Sequence, residues 1–425
     1  MPNEPGRLLT YSRESAILLA SMEFLKSITP KRASEIIGAF PIQSGRETVH
    51  IEEALNRVLS QDIISEEDIP PFSKSLVDGF AVIAKDTHGA KETSPLFLTV
   101  GGRVEIGTET DIILKEGSSA GISTGAMVPA NADAVVMEEH ARRLPDAVEI
   151  TKTVYRGENI CFKGEDIARG NRVLRAGKSL SPFDTGVLAA LGISQIPVYT
   201  KPAVAIISSG DEIIPVNETL PPGKIRDINR YTVSNLVKKS GADTSFIGIA
   251  CDSIEEITEK LRLARMHDLI LISGGSSKGE RDYITDAIES LGGEILFHGI
   301  SIKPGKPTIF GKLWGKPIFG LPGHPNSCIM VTIRFVLPLL RRMKGETVAD
   351  NNIITGVLTT NIPSTYGIEE YVRVAVEVVD GTNYMTPVFA KSSVISSLAS
   401  SSGYVVIPES AEGYEKDERL EIHLF

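Results

Sequence analysis

Between Asp268 and Pro325 the chain concentrates residues able to handle an anion together with a metal. An apolar run, Leu269-Ile-Leu-Ile272, ends in Ser273-Gly-Gly-Ser-Ser-Lys-Gly-Glu-Arg-Asp282; Lys303-Pro-Gly-Lys-Pro307 follows, and a second apolar run feeds Leu321-Pro-Gly-His-Pro325. Glycines without Cβ let backbone N–H groups turn onto phosphate or oxyanion oxygens, and a helix N-terminus behind such a turn adds favourable partial charge. An earlier turn, Ser208-Ser-Gly-Asp-Glu212, brings two carboxylates. Asp211, Glu212 and Asp282 would repel a bare phosphate; with Mg2+ between carboxylates and phosphate the sign reverses. Lys303 and Lys306 add point charges for an anion, each worth about 4 kcal/mol at ~4 Å for an effective dielectric constant of about 20.

Taken singly, each glycine turn reads as well as a tight connection. Their occurrence after three strands of one sheet, together with the lysine turn, is what marks a binding site. His324 reads as a hydrogen-bonding structural group rather than a base. Cys328, on a helix's first turn but with no identifiable histidine partner, reads as core.

The elements that must position these turns follow from periodicity. From Pro202 onward, apolar strands (Ala203–Ile207, Phe246–Ala250, Leu269–Ile272, Ile295–Phe297) alternate with helices over Asn229–Lys239, after a capping box at Ser253–Glu256, and over Tyr283–Leu291. A hairpin, Thr308–Leu313 with Pro317–Gly320, precedes a long helix over Asn326–Met343. Strands apolar on both faces and separated by helices predict a doubly wound α/β domain, in which ligands bind beyond the carboxyl ends of the strands. Residues 96–140 alternate short apolar runs with glycine turns, as in a small β domain, and the last eighty residues return to β as a small barrel or sandwich without a convincing helix. The spacing of Ile51, Ala54, Leu55 and Val58 predicts an amphipathic helix over Ile51–Leu59, Ser181 with Pro182 opens a helix that stops at Gly192, and Ser15–Lys26 carries a further helical pattern. Asp78-Gly79 reads as a turn former opening a strand, and Ile122–Asp133 as a small-residue loop that a ligand could approach closely.

Bulk properties exclude several classes. At 425 residues the chain holds about two to four domains, since single cores stop growing near roughly 250 residues. A net charge of −10 argues against binding nucleic acid by phosphate neutralisation, so an anionic substrate must meet a local positive patch. Cys161, Cys251 and Cys328 show no paired spacing for structural zinc and fit a reducing compartment. No secretory signal pattern or bilayer-length apolar run is present, so a cytoplasmic protein is expected.

Seven ordered motifs then converge on one family. Pro70-Pro-Phe-x-x-Ser-x-x-Asp-Gly-Phe-Ala-Val82, Ser123-Thr-Gly-Ala126, Gly164-Glu-Asp166, Ser209-Gly-Asp-Glu212, Ser273-Gly-Gly-x-Ser-x-Gly279 with Asp282, Lys303–Pro307 and Leu321-Pro-Gly-x-Pro325 resemble the molybdopterin molybdenumtransferases, the MoeA and gephyrin E-domain family, from about residue 50 to the C-terminus. The resemblance implies an N-terminal extension and start of the linker domain (1–45), an elongated domain in two segments (46–70 and 145–200), an inserted small β domain (71–144), an α/β molybdopterin-binding domain (201–345) and a C-terminal β-barrel (346–425). It implies Mg-dependent insertion of molybdate or tungstate into adenylylated molybdopterin with release of AMP. On matching positions Asp211, Glu212 and Asp282 would hold Mg2+. Ser209, Gly210, Gly274, Gly275, Ser277, Gly279, Lys303, Lys306, Pro322, Pro325, Ser327 and Arg373 would meet substrate. Asp78, Thr124 and Asp166, with Glu212 and Asp282, would serve catalysis.

The family's members are homodimers in which one subunit's small β domain faces the other's α/β loops. The resemblance therefore implies a shared active site and, as a further partner, the adenylylating enzyme of the same pathway. Val77, Phe80, Ser209 and His324 depart from the usual methionine, tyrosine, threonine and asparagine. A nucleotide pyrophosphatase on the same fold and a non-enzymatic scaffold of gephyrin type are the competing readings.

Overall fold

The computed structural model describes residues 27–274, 282–347, 352–389 and 393–425. The Ser15–Lys26 pattern and the residues Gly275, Ser277 and Gly279 lie outside them. Thr48–Val198 is one compact unit; the residues before it, with Tyr199–Phe425, make up the other. Among the described residues no helix is long and apolar enough to cross a membrane.

The described chain begins in the second of these units with α1 (Pro30–Ala39), whose first turn is capped by the Thr29 hydroxyl accepting from Arg32 N–H. In the unit Thr48–Val198, a six-stranded sheet is built from β1 (Gly79–Val82), β2 (Leu96–Val104), β3 (Ser118–Ile122), β4 (Ala134–Met137), β5 (Ala141–Arg143) and β6 (Ala147–Ile150), in the order β4-β1-β3-β2-β6-β5. Alternation along β1 sends Phe80 and Val82 to one core and Ala81 to another. Gly79 is irreplaceable by geometry: a Cβ there would sit 1.9 Å from the Val136 carbonyl oxygen. A separate core draws Val49, Leu59 and Ile63 together with Leu174, Leu188, Ile196 and Val198, so two distant segments fold on one another. Helix α2 (Pro182–Ala190) starts as its sequence predicts, with Ser181 and Asp184 forming a reciprocal capping box and Pro182 at the first position.

The helix expected over Ile51–Leu59 does not form. Only a 3-10 turn, Ile51–Glu53, is present; Asn56 takes φ +62°, and Val58 and Leu59 form β-bridges to Ser179 and Val198. The i, i+3, i+4 pattern was therefore accidental: Leu55 faces solvent at 52% exposure. A left-handed residue at Asn56 breaks the helix, and pairing with the second segment replaces its backbone hydrogen bonds.

The other unit is the doubly wound α/β domain followed by the barrel. Its strands and helices are β7 (Ala203–Ser209), α3 (Asn229–Lys239), β8 (Asp243–Ala250), α4 (Ile254–Leu263), β9 (Leu269–Ser273), α5 (Tyr283–Ser290), β10 (Glu294–His298), the short β11 (Ile302–Lys303), β12 (Ile309–Leu313) and β13 (Lys316–Leu321). Sheet order is β8-β7-β9-β13-β12-β10, parallel through β13 and antiparallel over the β13-β12-β10 edge. Strict alternation explains the two covered faces. Val204, Ile206, Leu269 and Leu271 enter one core with Val233 and Val237 of α3 and Ala33 and Ile37 of α1. Ala205, Ile207, Ile270 and Ile272 enter the other with Ile257 and Leu261 of α4 and Ile284 and Ile288 of α5.

The Ser253 box is half formed. Its hydroxyl accepts from Glu256 N–H, but the Glu256 carboxylate turns to Cys251 N–H at 2.8 Å. The long C-terminal helix is interrupted. It runs as α6 (Pro325–Val331), five residues of π-helix (Thr332–Val336) and α7 (Leu337–Met343). Leu337 N–H donates to Thr332 O, and Pro338, with no N–H, cannot bond Arg334 O, so the ladder reorganises just before it. Arg342 of α7 donates to the Ile37 and Phe40 carbonyls at the end of α1.

The last residues close a five-stranded barrel from β14 (Ile353–Leu358), β15 (Glu369–Val379), β16 (Thr382–Pro387), β17 (Gly403–Ile407) and β18 (Arg419–Leu424), in the cyclic order β15-β16-β14-β18-β17. Val372 and Val374 point into it, as the valine alternation requires. The same strand's other face is also used: Tyr371, with Tyr404 of β17, enters the α/β core. A short helix, Ser396–Ala399, appears in the serine-rich loop where no helix is expected. Phe310, fully buried against Phe40, Phe297 and Phe319 with centroids at 5.6, 5.5 and 4.7 Å, joins α1 to three strands of the sheet. We expect Phe310→Ala to destabilise this unit by about 3–5 kcal/mol, read as a lower urea midpoint for the unfolding transition of that unit.

Candidate functional site

The site is set by register. Ser208 of β7 pairs with Ser273 of β9, and Ser273 with Leu321 of β13, so three adjacent parallel strands end flush and release their glycine turns side by side. The turns touch. Gly274, at φ +118°, donates its N–H to Leu321 O at 3.2 Å, and a Cβ on it would lie 1.8 Å from Ser209 O. Gly323 is close behind: its Cβ would lie 3.7 Å from the Gly274 Cα. Gly210, at φ +151°, donates to Ala250 O. A cavity at these strand ends is lined by Ser209, Glu212, Ser273, Gly274, Gly323 and Pro325, with Ser208 and the segment Ile225–Asn229 completing its wall.

Carboxylates gather around the first turn. Asp211 and Glu212 are exposed. An Asp211 carboxylate oxygen accepts from Asp252 N–H at 3.1 Å, the Lys224 ammonium donates to Asp211 O at 2.5 Å, and the Ser209 hydroxyl donates to Asp252 Oδ1 at 2.9 Å. Behind the cavity, Asp227 is only 5% exposed. It accepts from the Ser208 hydroxyl at 2.6 Å and from Arg230 N–H at 3.0 Å. The Asn229 amide donates to Gly323 O at 2.8 Å, tying the third turn to the start of α3.

Neither Asp227, Asn229 nor Asp252 stands out in the sequence. Asp227 and Asn229 enter the site because a connection from β7 doubles back across the strand ends, and Asp252 because β8 is the neighbour of β7. The available signal is local: a polar Asp-x-Asn running into the first residue of a helix, and an Asp one residue ahead of the Ser253 cap.

Asp282 caps α5, its carboxylate accepting from Ile284 N–H at 3.2 Å and Thr285 N–H at 3.4 Å. His298 Nε2 lies 3.3 Å from its other oxygen. Burial pushes the Asp282 carboxyl up, against the opposing effect of His298 and the two amides. Among the described residues no three His, Cys, Asp or Glu side chains are grouped closely enough to hold a metal by themselves, so Asp211, Glu212 and Asp282 do not form a ready three-ligand set.

Lys303 and Lys306 are both exposed, but not equivalent. The Lys303 ammonium lies 2.9 Å from Glu370 Oε1, a consequence of β11 pairing with β15 at Lys303↔Glu370. Glu370, only 9% exposed, also accepts from the Ser364 hydroxyl at 2.8 Å. Pro322 and Ser327 are buried, and Pro325 is the first residue of α6. Cys328 is fully buried and burial pushes its thiol far up, so it is core, as its sequence context suggests. His324 is exposed at the N-cap position and makes no capping bond. Arg373 is buried in the barrel wall, where burial lowers its pKa and its guanidinium donates to Ser397 Oγ at 2.7 Å. Ser397 Oγ donates to Val394 O at 2.5 Å, and Val394 O also accepts from the Asn326 amide at 3.3 Å, so barrel and third turn are linked.

In the other unit, Asp78 and Thr124 do come together. Thr124 N–H donates to Asp78 Oδ1 at 3.0 Å and its hydroxyl to Oδ2 at 2.9 Å. These bonds, the backbone one foremost, with the charge of Arg103, hold the Asp78 carboxyl below the usual range although it is exposed. Asp166 is exposed in a separate turn, its N–H donating to Ile69 O at 3.1 Å.

The chain is similar to known proteins along most of its length. Residues 27–192 match the MoeA N-terminal region (domains I and II), 205–342 the probable molybdopterin binding domain and 355–425 the MoeA C-terminal region (domain IV). The chain is 31% identical to the molybdopterin molybdenumtransferase of Staphylococcus aureus over 89% of this chain and 90% of that one, and 31% identical to that of Bacillus subtilis over 91% of each. The crystal structure of a molybdopterin biosynthesis MoeA protein from Pyrococcus horikosii is similar to 94% of this chain, covering 99% of its own, with 38% identity and a TM-score of 0.82. With three consecutive family regions matched along its length and these relatives spanning nearly all of it, the chain belongs to the MoeA family of molybdopterin molybdenumtransferases.

Proposed function

We propose that the chain inserts molybdate or tungstate into adenylylated molybdopterin and releases AMP, the last step of molybdenum cofactor synthesis. The observation that carries this reading is the flush ending of β7, β9 and β13, which stacks three glycine turns in contact around one cavity, with Glu212 in its lining and Asp211 next to it in the chain. Exposed backbone at glycine turns suits an anion, and carboxylates beside it suit a phosphoanhydride only if a divalent cation lies between.

Mg2+ fits the donor set. It commonly takes one or two carboxylates with substrate oxygens and waters completing its shell, so two hard oxygen ligands in one turn suffice without a ready-made triad. Asp211 and Glu212 would hold it, joined by Asp282, whose half-buried carboxyl gains a reason to ionise when a cation is present. When bound it would supply Lewis-acid stabilisation of the phosphoryl oxygens during hydrolysis to AMP. Ser209, Gly210, Gly274 and the turn Pro322–Pro325 would cradle the phosphate, with the first turn of α6 and Ser327 behind it; Gly275, Ser277 and Gly279 would extend that cradle. Lys306 is the better-placed cation for the oxyanion, because Lys303 is already paired with Glu370. Arg373 would act by holding the barrel loop against the third turn.

The active form on this reading is a homodimer in which Asp78 and Thr124 of one subunit complete the site of the other, with Asp166 in a supporting role. Supporting it, Asp78 is exposed and Thr124 holds its carboxyl below the usual range, which leaves an oriented charge at the surface of the small β domain. The substrate would come from the pathway's adenylylating enzyme, and the compartment would be the cytoplasm.

Two outcomes test the reading. AMP release from adenylylated molybdopterin should need both Mg2+ and molybdate or tungstate; release indifferent to the oxyanion would identify a pyrophosphatase instead. Asp211→Asn with Glu212→Gln should cut that release by at least about 100-fold, the scale of losing transition-state charge stabilisation, while an unchanged rate would remove the metal from this turn. For the second surface, Thr124→Val removes one of the two bonds that keep Asp78 acidic. The Asp78 pKa should then rise toward the ordinary carboxylate range, so that the group protonates at a higher pH than in the parent; carboxyl-carbon NMR titration reads this directly.

A further inference from the structure

Arg103 reaches the Asp78 and Thr124 pair by a route built into the small β sheet. The ladder between β1 and β3 ends at Gly79↔Ile122, so Asp78 and Ser123 leave it side by side, and Thr124 follows with both of its donors on Asp78. On the other flank of β3, strand β2 carries one extra residue: Val100 pairs with Ser119 but Arg103 with Gly121, and Gly102 takes φ +149° inside the shift. Without that bulge Gly102 would stand opposite Gly121; with it the arginine does. Bulges beside functional sites re-aim side chains in this way.

Gly121 supplies the room. A Cβ on it would lie 3.4 Å from Arg103 Cγ, so the arginine stem crosses a residue with no side chain and runs on toward Ser123, two positions further along β3 and its exit. There Arg103 Nη2 donates to Ser123 Oγ at 3.1 Å, while its Nε donates to Glu105 Oε1 at 2.7 Å. The Ser123 hydroxyl closes the ring by donating to Glu105 Oε2 at 3.3 Å. Accepting one bond and donating the other, it has its orientation fixed from both sides. Arg103 and Glu105 are exposed, and so exposed an ion pair contributes little to stability. What the ring does fix is the residue next to Thr124. Arg103 is also the charge that acts on Asp78, lowering its pKa.

We propose that Arg103 is a positioning residue of the reaction: by clamping Ser123 it holds the turn that presents Thr124 to Asp78. This rests on the molybdenumtransferase reading, in which that pair completes the site of a neighbouring subunit.

The test reads the Asp78 titration midpoint by carboxyl-carbon NMR, and AMP release from adenylylated molybdopterin, in the full chain and in three variants. Ser123→Ala removes the clamped hydroxyl and keeps the arginine charge. Arg103→Lys keeps a charge but loses the planar fork that meets Ser123 and Glu105 together, and Arg103→Met loses both. We expect all three midpoints to move to higher pH, because a loosened Thr124 stabilises the carboxylate less, and Arg103→Met to move furthest. Each variant should slow AMP release about tenfold or more, the scale of a misplaced reacting group, with an unshifted melting curve. A midpoint that moves in Arg103→Met alone would show Arg103 acting by charge and overturn the clamp. Unchanged AMP release, or a loss that tracks a lowered melting temperature, would overturn its role in the reaction. The titration needs no substrate: a parent chain that releases no AMP, with midpoints moving as expected, would sink the molybdenumtransferase reading and leave the clamp on Asp78 standing.

Discussion

Close backbone approach at Gly274 is the constraint on which the site depends. The Ser209 carbonyl occupies the space that any side chain on Gly274 would need. The two turns can meet only because β7 and β9 end at the same level and because one of them has no Cβ at the crossing. With the third turn drawn in by Leu321 O and Gly323, the strand ends become a single concave surface of main-chain atoms. Side chains then decorate that surface rather than create it, which is why its charged residues come from well-separated parts of the sequence.

Much of this is legible in the amino-acid sequence. Strands β7 and β9 are continuous apolar runs because both faces are covered, and the turns after them carry glycine where the chain must approach its neighbour. Ser181 and Pro182 announce α2 through local chemistry that tertiary contacts do not override. Periodicity failed where non-local pairing decided the outcome. Ile51–Leu59 has helical spacing, yet Val58 and Leu59 bond to residues more than a hundred positions away, and no local pattern records that competition. Valines alternate over Val372–Val378, the pattern of a strand with one dry and one wet face, yet Tyr371 and Arg373 are buried on the other face. A barrel strand that leans on a second domain has no dry and wet side along that stretch.

The site shows the same division. The glycine turns singled out in the sequence do meet at the strand ends, and Asp78 with Thr124 turned out to be bonded to each other despite a separation of forty-six positions. Asp227 and Asn229 were not legible, because an Asp-x-Asn ahead of a helix is common punctuation and becomes part of a cavity only when the connection from β7 folds back across the strand ends. Lys303 was legible as a cation but not as a paired one. Its partner Glu370 lies in another domain and reaches it through a two-residue strand pairing, the kind of short register contact that sequence patterns do not carry.

That Tyr371 and Tyr404 of the barrel sit in the α/β core beside Phe335 and Leu339 has a consequence for how the chain comes to life on the ribosome. The interrupted helix from Pro325 to Met343 emerges before Tyr371 and Tyr404, so the core it shares with them is incomplete until the last eighty residues are made. Domains fold from the N-terminus as synthesis proceeds, and apolar surface left waiting is what chaperones recognise. Maturation of the α/β domain is therefore tied to the end of the message: a nascent chain that stalls near residue 345 would lack Tyr371 and Tyr404 and leave that core unfinished, and quality control would meet it there first.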